Sequence, residues 1–154
     1  LSLTQAAYLQ GATALGVIAG AALAARTVAL SKAPKVIGMG ILLGLMLPLM
    51  SVVTDSRIAM VLVFTVGAVG GFFVVPMNAM LQHRGVQLLS AGRSISVQNV
   101  NENANILLMM GVYSALLYAD LNVETLTWLL GGLVTVGMAW IRWRYQRMNN
   151  KPST

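Results

Sequence analysis

The sequence predicts an all-α polytopic membrane bundle with five transmembrane helices. Three observations carry this reading. Of the 154 residues, 57% are hydrophobic and 9% charged, against about 25% charged in an average soluble domain. A domain this small has too much surface to leave so few charges to cover it. The mean hydropathy of +0.76 excludes intrinsic disorder, which needs low hydrophobicity and high net charge. The apolar residues come in long runs rather than in period-two alternation, which argues against a β-barrel.

A span needs about 20 apolar residues, and the runs give five segments in order. The first covers about residues 6–25 and holds no charge. The second covers about 36–53, with Pro34 suited to its first turn. The third covers about 58–81, entered from the tight turn Thr54–Arg57 with Asp55 as N-cap. The fifth covers about 125–141, with Asn122 placed to cap it and Glu124 at the positive end of its dipole. The fourth is harder to place. Its uncharged apolar run, Ile106 to Ala119, is 14 residues, about 21 Å at 1.5 Å per residue, short of a core of about 30 Å. It must borrow from the polar stretch before it, so the predicted helix runs 97–119 and carries Glu102 into the membrane boundary. The bundle then occupies residues 1–147, and residues 142–154 read as a cytoplasmic tail.

Charge placement sets the expected orientation. Arg26, Lys32 and Lys35 lie in the first connection, Arg84 and Arg93 in the third, and Arg142, Arg144, Arg147 and Lys151 after the fifth segment. With five spans these regions share one face, and basic residues in short loops stay cytoplasmic. Asp55, Arg57, Asp120 and Glu124 fall on the other face. The net charge of +6 is thus a topology signal, and no nucleic-acid partner is expected. Trp140, Trp143 and Tyr145 suit an inner aromatic belt, Trp128 and Tyr118 an outer one. The first residue is Leu1, with no secretory signal pattern near it, so the chain is expected to be a piece of a longer protein.

Small residues recur at spacings of four: Ala12, Gly16, Gly20 and Ala24 in the first segment, Gly40 and Gly44 in the second, Gly67 and Gly71 in the third. Such stripes let helices approach closely. Pro48 and Pro76 sit inside apolar segments, where each removes a backbone hydrogen bond and favours a kink.

The most informative stretch is SVQNVNENANILLMMG. Gln98, Asn101, Glu102 and Asn105 recur at spacings of three and four and share a helix face. Asn99 and Asn103 form a second row. Lipid does not tolerate these groups, so they face the bundle interior or an aqueous cavity. Two readings stay open. The row lines a cavity that hydrogen-bonds a substrate head group, with Glu102 meeting a cation or carrying a proton. Alternatively it is interhelical glue, with Glu102 paired to Arg93 or Arg84. Asn78, near the inner end of the third segment, either faces the same cavity or caps the helix. The candidate substrate-binding residues are therefore Asn78, Gln98, Asn101 and Glu102.

The chain has no Cys and one His, His83, which reads as a solvated residue in a connection. No nucleophile triad, phosphate loop or workable carboxylate pair is visible. Neither an enzyme, a metal nor a cofactor is expected.

Two central runs add a resemblance. GGFFVVPMNAMLQHRG (Gly70 to Gly85) and AGRSISVQNVNENANILLMMGVYS (Ala91 to Ser114) closely resemble bacterial lysophospholipid transporters of the major facilitator superfamily. The resemblance extends more loosely through the first segment and the Trp–Arg end. It implies twelve helices in two six-helix halves, the five segments here being helices eight to twelve, with helix seven and the N-terminal half missing. It further implies inward flipping of lysophospholipids, chiefly lysophosphatidylethanolamine, across the bacterial inner membrane. The implied partner is an acyltransferase/acyl-carrier-protein synthetase, fused to the transporter in some bacteria. One departure stands out. Many superfamily members carry an Asp–Arg–Arg loop between helices eight and nine, whereas here that connection is RTVALSKAPK, with no Asp. Two other functions fit the same architecture: a drug or metabolite facilitator, and a non-transporting module that anchors a lipid-modifying enzyme among membrane lipids.

Overall fold

Long apolar runs punctuated by short polar turns become five α-helices. The computed structural model describes residues 3–149. The helices are α1 (Leu3–Thr27), α2 (Ile37–Val52), α3 (Ser56–Leu88), α4 (Ala91–Tyr118) and α5 (Val123–Asn149), with a 3-10 segment, Leu30–Val36, leading into α2. Pro34 lies inside that segment rather than in the first turn of α2. The Asp55 cap forms as expected, its Oδ1 accepting from the Arg57 amide at 2.7 Å.

The helix bounds differ from the sequence expectation in three places, each for the same reason. Hydropathy marks where a helix meets lipid, whereas backbone hydrogen bonding continues until a capping residue stops it. Thus α3 runs past residue 81 to Leu88, α4 starts at Ala91 rather than near residue 97, and α5 continues past Ile141 to Asn149. The first part of the stretch expected as a tail, Arg142 to Asn149, continues α5 as helix, while Lys151 lies outside the described residues. Four segments are long and apolar enough to cross a membrane: Leu3–Thr27, Leu30–Val52, Ser56–Leu88 and Val123–Met148. The expected fifth, α4, is 28 residues long but too polar in its first half to qualify by composition.

Packing rests on glycine rather than on large side chains. Gly16 and Gly20 of α1 lie directly on the Phe64 and Ala68 backbone of α3, and Gly67 and Gly71 of α3 lie on the Thr13 and Val17 backbone of α1. The residue order rises together on both helices, so they run parallel. A Cβ at any of the four would overlap a carbonyl of the partner helix, so the small-residue stripes are contact faces. α2 packs against α5 in the opposite sense: Gly38 meets Arg142, Gly40 meets Met138, and Gly44 meets Thr135 and Gly131. Both prolines sit within continuous helices and are buried. Pro48 has no N–H to give the Gly44 carbonyl, and that oxygen is 2.8 Å from where a Gly131 Cβ would stand. The absent side chain at Gly131 thus accommodates a carbonyl that the proline frees.

Large side chains do little of this work. Among the described residues, Leu126 is the largest that is fully buried. Leucines and valines on every helix, and the three tryptophans of α5, are exposed, as expected where lipid rather than water is the solvent.

The helix directions sort the charges. α1 and α3 point the same way, with α3 running on past the end of α1, and α2 starts beside Arg142 near the end of α5. Arg26, Lys32, Lys35, Arg84, Arg93, Arg142, Arg144 and Arg147 therefore lie at one end of the bundle. Asp55, Arg57, Asp120 and Glu124 lie at the other. That end holds a special turn after α4. Asp120 has φ 56°, its amide donates to the Leu117 carbonyl at 3.1 Å, and the Leu121 amide donates to the Leu116 carbonyl at 3.4 Å. This is the paired bonding of a Schellman motif, which normally places glycine at the left-handed position.

Candidate functional site

α3 and α4 form a hairpin whose closed end is a tight contact. Ser94, 4% exposed, lies on Gly85, where any side chain would overlap its hydroxyl. Above this pivot the two helices diverge, and Leu130 of α5 contributes to the space between them. The result is a groove of about 1040 Å³.

Helical spacing decides what lines it. α3 contributes Val74, Asn78, Leu81 and Gln82, a stripe at i, i+4, i+7 and i+8. α4 contributes Gln98, Asn101, Glu102 and Asn105, then Ile106, Met109, Met110 and Tyr113. From Gln98 to Tyr113 the lining spans about 22 Å along the helix axis. Its character changes along that length. Leu81, Ile95 and Val97 line it next to the hairpin, amides and the Glu102 carboxylate follow at Gln98–Asn105, and aliphatic, thioether and aromatic groups line the far part.

All four residues singled out from the sequence line this one groove. Asn78 sits in the body of α3, ten residues before its end at Leu88, so it does not cap the helix. Gln98 is half-buried, while Asn101 and Glu102 are exposed to the groove. The expected ion pair of Glu102 with Arg93 or Arg84 does not occur among the described residues. The amides bond partly along their own helix: Asn105 Nδ2 donates to the Asn101 carbonyl at 2.7 Å, and Asn103 Nδ2 to the Asn99 carbonyl at 2.9 Å.

Asn99 of the second row lines the groove as well, and two polar lining residues escaped the sequence reading: Gln82 and Tyr113. Gln82 carried a usable signal, because it lies one turn beyond Asn78 on the same face. Tyr113 carried none, since it sits in an apolar run and reads as an ordinary membrane aromatic.

Chemically the groove suits an amphiphile. Amides donate to and accept from a polar head, Glu102 offers one negative charge, and Ile106, Met109 and Met110 offer dispersion and apolar contact, with the Tyr113 hydroxyl beyond them. No group of three or more His, Cys, Asp or Glu able to hold a metal ion occurs among the described residues.

The comparisons with known proteins agree in kind. The chain is 37% identical over 140 residues to the lysophospholipid transporter LplT of Shigella flexneri, which covers 91% of this chain and 35% of that protein. It is 38% identical over 140 residues to that of Citrobacter koseri and 36% identical to that of Escherichia coli O157:H7, with the same coverage. The match falls in the C-terminal portion of these proteins, so the chain spans about a third of the length of the curated relatives it matches. No family model matches the chain, and no solved structure is significantly similar to it. The relatives are named as transporters, not as enzymes. With four apolar spans besides, the chain reads as part of a multi-pass membrane protein.

Proposed function

We propose that this chain is the C-terminal portion of a lysophospholipid transporter and that the α3–α4 groove is part of its lipid path. The observation that carries the reading is the change of lining along α4, from amides and a carboxylate at Gln98–Asn105 to the apolar side chains Ile106, Met109 and Met110. A single-chain phospholipid has the same two-part chemistry. The relatives' printed name supports the same substrate class.

In this reading Glu102 meets an ammonium on the head group, and Asn78, Gln98 and Asn101 hydrogen-bond the phosphate and glycerol oxygens. Charge on a bilayer-depth helix is expensive unless it faces a cavity or partner, which accounts for Glu102 facing the groove. The basic end lies in the cytoplasm and the C-terminus with it, in a bacterial inner membrane. Transport proceeds inward by alternating access between this portion and the rest of the protein, as in a major facilitator architecture. An acyltransferase/acyl-carrier-protein synthetase then acts on the delivered lipid.

The test is uptake of labelled lysophosphatidylethanolamine into spheroplasts by the full-length protein. Glu102→Gln removes the charge and keeps the size, so uptake should fall several-fold at normal expression. Unchanged uptake would remove Glu102 from the path, and no uptake of this substrate by the unmodified protein would remove the substrate assignment.

A further inference from the structure

Eight basic side chains share one end of the bundle, and among the described residues no acidic side chain accompanies them. All eight are exposed. Their counter-charge must come from outside the chain.

Five of them lie on the 3-10 segment, which packs on α3 and α2, and on the last turns of α5, where Arg142 faces α2 and Arg144 and Arg147 lie on the other side of the helix. In the 3-10 segment Ala33 and Val36 are buried, at 0% and 7% exposure, which leaves Lys32 and Lys35 facing outward. The Arg142 guanidinium lies along the first turn of α2, with Nη1 3.1 Å from where a Gly38 Cβ would stand. One turn apart on α5, Arg144 lies over the Trp140 ring at 5.7 Å and Arg147 over the Trp143 ring at 3.9 Å. Cation–π contact restrains a guanidinium while leaving its N–H donors free. These groups begin where the apolar part of α5 stops at Ile141, and indole rings favour that depth in a bilayer.

We propose that this end of the bundle docks the head groups of anionic phospholipids, with Lys32, Lys35, Arg142, Arg144 and Arg147 as the phosphate-facing groups. Charge complementarity selects the occupant, because an uncompensated cationic surface at head-group depth lies against the negative leaflet potential. Depth selects lipid over a soluble anion, since Trp140 and Trp143 fix the guanidiniums at the interface rather than in bulk water. Arginine forks also match phosphate oxygens two at a time. The site is separate from the α3–α4 groove and does not depend on what that groove carries.

The test uses the full-length protein, delipidated in neutral detergent, with lipid adducts counted by native mass spectrometry. Dioleoyl-phosphatidylglycerol should bind about tenfold more tightly than dioleoyl-phosphatidylcholine, and the preference should weaken with added salt. Arg142→Gln, Arg144→Gln and Arg147→Gln together should abolish it. The corresponding triple Lys variant, which keeps the charge, should retain most of it and shows that loss in the Gln variant is not misfolding. Equal binding of the two lipids, or a preference that survives the triple Gln change, would overturn the proposal. So would retention of polyglutamate without any phosphatidylglycerol preference, which would assign the surface to an acidic protein.

Discussion

Substituting Gly20 by alanine should weaken the α1–α3 crossing. A Cβ at this position would lie 2.6 Å from the Ala68 carbonyl carbon and 2.8 Å from its Cα, and would overlap the carbonyl oxygen itself. Carbon atoms pack best at about 3.5–4.0 Å, so the helices must separate locally by roughly 1 Å. A gap of that size forfeits about a quarter to a half of each dispersion contact it opens. Because the same crossing seats Gly16, Gly67 and Gly71, the loss spreads over its whole length. Overpacking of this kind costs about 1–3 kcal/mol, which exceeds the roughly 0.5–1 kcal/mol that alanine gains over glycine inside a helix. Gly137→Ala is the control, since no atom lies within 4 Å of its Cβ position, and it should be neutral or mildly stabilising. The assay is reversible unfolding of the full-length protein in mixed micelles with increasing dodecyl sulfate. If Gly20→Ala and Gly137→Ala unfold at the same detergent fraction, the backbone-on-backbone packing inferred here is wrong.

Three further outcomes follow from the same structure. Asp55→Ala removes the carboxylate that accepts from the Arg57 amide and should cost about 1 kcal/mol in the same unfolding assay. Asp120→Gly should stabilise by about 0.5–1 kcal/mol, because the left-handed φ of 56° carries a steric cost that glycine lacks. Asn101→Leu with Asn105→Leu should leave unfolding nearly unchanged and reduce lysophosphatidylethanolamine uptake, since these amides bond within α4 and face the groove rather than join two helices. A large loss of stability in that double variant would identify them as interhelical glue.

How far the sequence anticipated the structure depended on the kind of signal. Apolar runs, four-residue small-residue spacing and the Asp55 cap are local, and each reappears where it was expected. Helix length is not set by hydropathy, which is why Arg142 to Asn149 was read as tail although it continues α5. The convergence of Asn78 with Gln98, Asn101 and Glu102 on one groove depends on how α3 meets α4 at Gly85 and Ser94. Periodicity could place each row on a face of its own helix. It could not bring the two faces together.

The contrast between α4 and the other helices explains why the polar row belongs to the groove. α1 and α3 are locked by glycine on backbone, and α2 and α5 by Gly44, Gly131 and Thr135. On α4, by comparison, neither Gly92 nor Gly111 has a neighbouring atom within 4 Å of its Cβ position, and Ser94 at the hairpin is its one buried residue among those described. A helix carrying five asparagine and glutamine side chains and a glutamate between residues 98 and 105 needs polar partners at membrane depth. An amide side chain offers two donors and an acceptor, and the i,i+4 bonds of Asn103 and Asn105 use only part of that capacity. Neither Arg84 nor Arg93 takes up the Glu102 carboxylate among the described residues. The remaining valences of Gln98, Asn99, Asn101, Glu102 and Asn105 therefore open onto the groove, where water or a polar head group satisfies them. Ile106, Met109 and Met110 beyond the row have no such demand, so a molecule that satisfies both stretches at once is polar at one end and hydrocarbon next to it.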